Sequence, residues 1–402
     1  MTPFLQLIFL ISLILITAKA AGYLTGLIKQ PSVLGELLIG LILGPSVLDV
    51  LHWPFLDDHL LGETIHHLAE IGVLLLMFVA GLELHLSELA RNTRVAALAG
   101  IMGVVLPVGL GYGVGVAFGF EASAALFLGL TLGATSVSIS AQTLMEMKVL
   151  RSRVGLGLLG AAVFDDVLVI LLLSAFLALA QGSGGLGAVA WIFVRMLLFL
   201  GLSAGLGFWV LPRLSHKISH LPISQGVLAL ALVVLFLYGI AAEVVGGMAA
   251  ITGSFLAGLM FARTPEKERI ERGVSAISYG FFVPIFFVNI GLTVNARDLN
   301  AEMLWLFVAI TGVAILGKLI GSGLGARWAG FTWRESWQLG AGMISRGEVG
   351  LILASVGMSQ NLMTATEFPA IVGMVLITTL ITPPLLRMLF SEPKPRAIKV
   401  EK

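Results

Sequence analysis

The sequence predicts an all-α polytopic membrane protein with 13 transmembrane helices, and three observations predict it. Hydrophobic residues make up 58% of the 402 and charged residues only 12%, against about 45–50% and about 25% in soluble domains. Apolar runs of spanning length recur along the chain, separated by charged or Pro/Gly breaks. The basic residues between those runs fall almost entirely on alternate loops. A mean hydropathy of +1.01 agrees. Cysteine is absent, which excludes disulfides and thiolate metal sites.

The spans are expected near 4–28, 32–51, 64–84, 94–118, 122–146, 153–180, 187–213, 222–243, 247–263, 273–292, 302–328, 335–358 and 366–389. The first is expected to be a retained span rather than a secretion leader. Ala18-Lys19-Ala20 imitates a cleavage site, but Met1-Thr2-Pro3 carries no positive side chain and the apolar stretch continues through Leu27. No stretch is long or polar enough for a separate soluble domain, so one membrane domain is expected over 1–402, with 390–402 a short basic tail.

Loop charge tests the span count. Nineteen Lys and Arg residues, from Lys29 through Arg151 and Arg269 to the tail, collect on one side, and the other side has only Arg297. The positive-inside rule then predicts a cytoplasmic C-terminus and an external N-terminus. An error of one span would scramble this asymmetry. Lys19, Arg195, Lys318 and Arg346 fall inside spans. Lys19 and Arg195 lie near enough to helix ends to snorkel; Lys318 and Arg346 are deeper.

An internal repeat is legible. Gly35-Glu36-Leu37-Leu38-Ile39-Gly40 in span 2 resembles Gly253-Ser254-Phe255-Leu256-Ala257-Gly258 in span 9. Met77-Phe78-Val79-Ala80-Gly81-Leu82 in span 3 resembles Phe286-Phe287-Val288-Asn289-Ile290-Gly291-Leu292 in span 10, with one insertion. Paired spans are seven apart, an odd number, so the halves must be inverted: repeat 1 about 4–180, a linker helix about 187–213, and repeat 2 about 222–389. Two corresponding spans look broken. Span 5 holds Gly133-Ala134-Thr135-Ser136-Val137-Ser138, whose hydroxyls can satisfy freed backbone groups. Span 12 holds Gly340-Ala341-Gly342-Met343-Ile344-Ser345-Arg346-Gly347-Glu348. A crossed pair of half-helices is expected.

The strongest chemical signal is Asp165-Asp166, with about ten apolar or small residues on each side. A charge at the centre of a membrane helix costs about 2.5–3.5 kcal/mol on insertion scales, so two in a row mark an ion or proton path by default. Pseudo-symmetry sets Lys318, one span before the second crossing, against the aspartates, one span after the first. The Ser/Thr cluster alone is as well explained by packing. Arg346 and Glu348 are read as neutralising the broken-helix ends. Glu36, Glu70 and Glu243 lie near span ends, and Glu83 is expected to be wet. His66 and His67 are read as solvated, without a carboxylate partner at fixed spacing.

On the aspartate pair, the Thr135-Ser136 segment, the late lysine and the Arg346-Gly347-Glu348 crossing, the chain resembles the monovalent cation:proton antiporters, above all the bacterial electrogenic sodium/proton antiporters. The glutathione-gated potassium efflux antiporters resemble it less, because they have a neutral residue at the first aspartate and a C-terminal nucleotide-binding domain. The resemblance implies that Asp166 ligates the cation with oxygens around Thr135 and Ser136, while Asp165 pairs with Lys318 when no cation is bound. It also implies exchange of Na⁺ or Li⁺ for H⁺, a homodimer in the inner (plasma) membrane, no cofactor and no nucleic acid. K⁺/H⁺ exchange is the nearest alternative, since cavity size decides between the ions. A sodium-coupled solute symporter needs no lysine partnered to an aspartate. An intramembrane aspartyl protease needs its two carboxylates on separate helices sharing a proton, whereas these are adjacent on one, and no enzyme is expected.

Overall fold

The structure, a computed structural model, describes residues 1–56, 60–83, 92–180, 186–295, 297, 303–359, 362–364 and 367–390. The basic tail beyond 390 and Arg91 lie outside the described residues. The helices are α1 (Pro3–Leu27), α2 (Ser32–Leu43), α3 (Leu61–Leu82), α4 (Thr93–Ala117), α5 (Ala122–Gly133), α6 (Ser138–Glu146), α7 (Arg153–Ala180) and α8 (Leu186–Trp209). They continue with α9 (Leu211–Ser219), α10 (Gly226–Ala241), α11 (Ala250–Phe261), α12 (Lys267–Ile277), α13 (Val283–Leu292), α14 (Leu304–Trp328), α15 (Trp333–Gly342), α16 (Gly347–Ser359) and α17 (Phe368–Phe390). Among the described residues ten stretches are long and apolar enough to cross a membrane. The short apolar helices α2 and α11 and the interrupted pair α15–α16 complete the thirteen crossings.

Several boundaries differ from expectation, each for a local reason. Helices α2 and α11 have 12 residues each, about 18 Å of helix against a ~30 Å hydrocarbon layer. Gly44-Pro45 stops α2 early, and apolar residues beyond it keep the hydropathy high. The linker span divides at Val210, where Pro212 opens α9 and cannot donate to a continuing helix. Helix α10 runs into a π-turn over Ala242–Gly246, and α12 joins α13 through another over Ser278–Phe282.

Those π-turns receive the two cations that the sequence places near helix ends. Arg195 donates from Nε to the Val245 carbonyl at 2.8 Å and also from Nη2 to that of Val244. Lys19 Nζ donates to the Tyr279 carbonyl at 2.7 Å and lies 3.8 Å from Glu36. Both cations meet carbonyls of a widened turn, which the ordinary helical ladder does not serve.

The helices form two bodies. Helices α1, α2, α3, α10, α11, α12 and α13 pack together, and α4, α5, α6, α7, α14, α15, α16 and α17 form the other, with α8 and α9 between. Each body takes three spans from each half of the chain. Glycines show the inverted repeat directly. A Cβ on Gly40 would meet the Val288 carbonyl oxygen at 2.3 Å, and one on Gly258 would meet that of Phe78 at 2.1 Å. The partner helices answer with Gly291 against Gly40 and Gly81 against Phe255. Under the repeat, α2–α13 and α11–α3 are therefore one contact seen twice, with helix backbones touching where no side chain intervenes.

Candidate functional site

The site lies where the two interrupted spans cross. Helix α5 ends at Gly133, the chain runs extended from Ala134, and α6 starts at Ser138; α15 ends at Gly342 and α16 starts at Gly347. The two extended segments hold each other. Ser136 N–H donates to the Ser345 carbonyl at 2.9 Å, and the Ser345 hydroxyl donates back to the Ser136 carbonyl. Ser140 donates to the Gly342 carbonyl, and the Ser136 and Ser138 hydroxyls are 2.9 Å apart. Gly347 has φ of +43°, and a Cβ there would come within 2.6 Å of Ser136 Oγ, so the crossing requires glycine for both reasons.

Four half-helix ends converge here, α5 and α15 with carbonyl ends and α6 and α16 with N–H ends. Arg346 is fully buried and spends its guanidinium on this geometry. It donates to the carbonyls of Met343 (3.3 Å) and Ile344 (3.1 Å), just past α15, and to Ala314 on α14 (3.0 Å). The side chain of Glu348 lies outside the described residues.

Beside the crossing, α7 presents the aspartates and α14 presents the lysine. Lys318 Nζ donates to Asp165 Oδ1 at 2.6 Å, both side chains being fully buried. The hydroxyl of Thr135 lies beside the Asp165 carboxylate. Neither Thr135 Oγ1 nor Asp165 Oδ2 makes a well-formed hydrogen bond, although both are buried. Successive residues on a helix point about 100° apart, so Asp166 faces another way. It is half-buried and lines a cleft with Met77 of α3, Val137, Leu159, Ala162 and Val163, and with Ile251, Thr252 and Phe255 of α11. The structure thus brings Asp165, Lys318, Thr135 and Ser136 to one centre, with Asp166 opening onto the boundary between the bodies.

Polar contacts that cross that boundary include two that sequence reasoning did not find. Thr252 Oγ1 donates to Asp166 Oδ2 at 2.9 Å. At the basic end of the molecule Glu146, last residue of α6, accepts from Ser32 N–H (2.6 Å) and Ser32 Oγ (2.5 Å), and from Gln142 Nε2 (2.9 Å). Its carboxylate thereby caps the N-terminus of α2, where negative charge is favoured. The repeat did hold a signal for Thr252: extending the Gly35/Gly253 alignment back one residue sets it against the apolar Leu34.

Glu83 and the still exposed His66 each differ in one respect from expectation. Glu83 is half-buried rather than wet. His66 has a carboxylate one turn on, with Nε2 3.6 Å from Glu70, and its Nδ1 lies 3.3 Å from Asn289 Nδ2. The i,i+4 spacing supplies the partner that reading His66 alone missed.

Residues 10–392 match the transmembrane family of sodium/hydrogen exchangers. The chain belongs to that family. It is 40% identical to the Na⁺/H⁺-K⁺ antiporter GerN of Bacillus cereus over 99% of each chain. It is 34% identical to a Na⁺/H⁺ antiporter of Enterococcus hirae, covering 95% of this chain and 98% of that one. The fold is similar to the solved sodium proton antiporter MjNhaP1 of Methanocaldococcus jannaschii at pH 8, with a TM-score of 0.66 at 17% identity over 96% and 98% of the two chains. This is a multi-pass membrane protein of a family of cation/proton antiporters, which are transporters rather than catalysts.

Proposed function

We propose that the chain exchanges cytoplasmic Na⁺ or Li⁺ for external H⁺ by alternating access, as a secondary transporter with no enzymatic step and no cofactor. The observation that carries the reading is the 2.6 Å contact between Lys318 and Asp165, one from each inverted half, beside a carboxylate that opens onto a cleft. A hard cation needs oxygen ligands, and a site that also carries protons needs a group able to exchange one for the other; carboxylate does both. Asp166 is the direct ligand, with oxygens around Thr135 and Ser136 completing the shell. Two buried oxygens that make no well-formed hydrogen bond among the described residues, Thr135 Oγ1 and Asp165 Oδ2, suit this donor set.

Arrival of the cation draws Asp165 away from Lys318, and protons leave Asp166 and Lys318. Two protons against one Na⁺ moves net charge, and each charge is worth about 2.3 kcal/mol per 100 mV of membrane potential. Arg346 compensates the carbonyl ends of the crossing, and Glu348 is assigned with it. The basic loops support an external N-terminus and a cytoplasmic C-terminus; a homodimer in the inner (plasma) membrane follows the family resemblance. K⁺ is the alternative cargo, and the 40% identical relative is a Na⁺/H⁺-K⁺ antiporter.

The test is cation-driven proton movement in proteoliposomes, read by a pH-sensitive dye with Na⁺, Li⁺ and K⁺ in turn. Exchange with Na⁺ and Li⁺ that vanishes in Asp166→Asn supports the reading. Exchange that survives this substitution removes Asp166 from the role of ligand, and exchange with K⁺ alone gives the cargo to the alternative.

A further inference from the structure

Among the described side chains lining the cleft at Asp166, only Asp166 and Thr252 are polar. Asp166 belongs to α7, which packs in the body of the crossing; Thr252 sits in the first turn of α11, in the other body. Several spanning hydroxyls are spent within their own helix. Thr131, Thr143, Thr378 and Thr382, for example, donate to carbonyls four residues back. Thr252 instead donates across the boundary to Asp166 Oδ2, although its residue is 3% exposed. Gly253 lets α11 seat closely against α10 in the same body, since a Cβ there would meet the Tyr238 carbonyl oxygen at 2.1 Å.

We propose that Thr252 is a specificity-determining ligand of the cation site, the one contribution from the body opposite Asp166. This rests on the reading of Asp166 as the ligand. Without a cation, the hydroxyl donates a hydrogen bond to the carboxylate. With a cation on Asp166, it turns that proton away and offers a lone pair, since a hydroxyl is both donor and acceptor. No covalent bond is made or broken. The 2.9 Å between the two oxygens decides which cations gain. A small cation touches both at an ordinary ligand angle, whereas a larger one sits farther out and meets them at a narrower angle. Thr252 thus favours Na⁺ and Li⁺ over K⁺.

The test is the proteoliposome exchange assay on Thr252→Val, which keeps the side-chain shape, and on Thr252→Ser, which keeps the hydroxyl. Asp166→Asn is run beside them. Losing one oxygen on a charged partner predicts a half-saturating Na⁺ and Li⁺ concentration raised about tenfold or more in Thr252→Val. The change for K⁺ should be smaller, and Thr252→Ser should stay within about twofold of the parent. Unchanged half-saturation, an equal shift for all three ions, or a lower maximal rate alone overturns the proposal; the last makes Thr252 a contact between bodies only. If Asp166→Asn still exchanges, the underlying reading fails. If it is dead while Thr252→Val is unaffected, the site stands and only the Thr252 assignment falls.

Discussion

Replacing Lys318 by methionine removes the amine but keeps the length of the side chain. Asp165 then loses the ammonium from which its Oδ1 accepts and is left with the neutral Thr135 hydroxyl beside its carboxylate. A fully buried carboxylate stripped of its ion-pair partner costs about 3–5 kcal/mol of stability. Asp165→Asn should cost a similar amount by stranding the ammonium instead. The double substitution removes both charges together, and replacement of a buried ion pair by uncharged groups is often neutral. The predicted order of melting temperature, followed by tryptophan fluorescence of the detergent-solubilised protein, puts the double variant above either single one. Coupling of up to about 3 kcal/mol is expected for groups in direct contact. Additive losses would refute the reasoning, because they mean that the two groups do not sense each other's charge.

Other substitutions probe the scaffold. Gly258→Ala drives a methyl into the Phe78 carbonyl and should cost about 1–3 kcal/mol through overpacking. Gly109→Ala in α4, where a Cβ meets nothing within 4 Å, should be neutral or stabilise by up to about 1 kcal/mol; unfolding of the two variants side by side checks the contrast. Glu146→Ala removes the carboxylate cap shared by the two bodies and should loosen their contact by about 1–3 kcal/mol. The chain has no cysteine, so spin labels on cysteines introduced at Lys29 and Lys148 report the distance cleanly. A broader distance distribution in the variant is the expected outcome, and an unchanged one contradicts it.

What the sequence disclosed depends on how locally each feature is encoded. Spans and their alternation follow from hydropathy and loop charge, which are properties of contiguous residues. The crossing at Thr135-Ser136 and Ser345-Arg346 was legible because hydroxyls, glycines and a buried cation interrupt helices at matching repeat positions. The approach of Lys318 to Asp165 followed from the same symmetry. By contrast, the shortness of α2 was hidden by Val47, Leu48, Val50 and Leu51, which prolong the apolar run past the proline that ends the helix. The π-turns receiving Lys19 and Arg195 change hydrogen-bond register without changing composition. Thr252 and Glu146 act across the boundary of the two bodies. Their partners lie 86 and 114 residues away in sequence, so only the rotation of α11 and the placing of α6 against α2 reveal them.

The central claim is that Na⁺ and protons compete for Asp166 while Lys318 holds Asp165 in the cation-free state. The most direct measurement is the current evoked by a Na⁺ jump across proteoliposomes adsorbed on a capacitive electrode. The account predicts a transient current in the parent protein, none in Asp166→Asn, and in Lys318→Ala either no exchange or exchange that carries no net charge. A current of undiminished size from Lys318→Ala would contradict it.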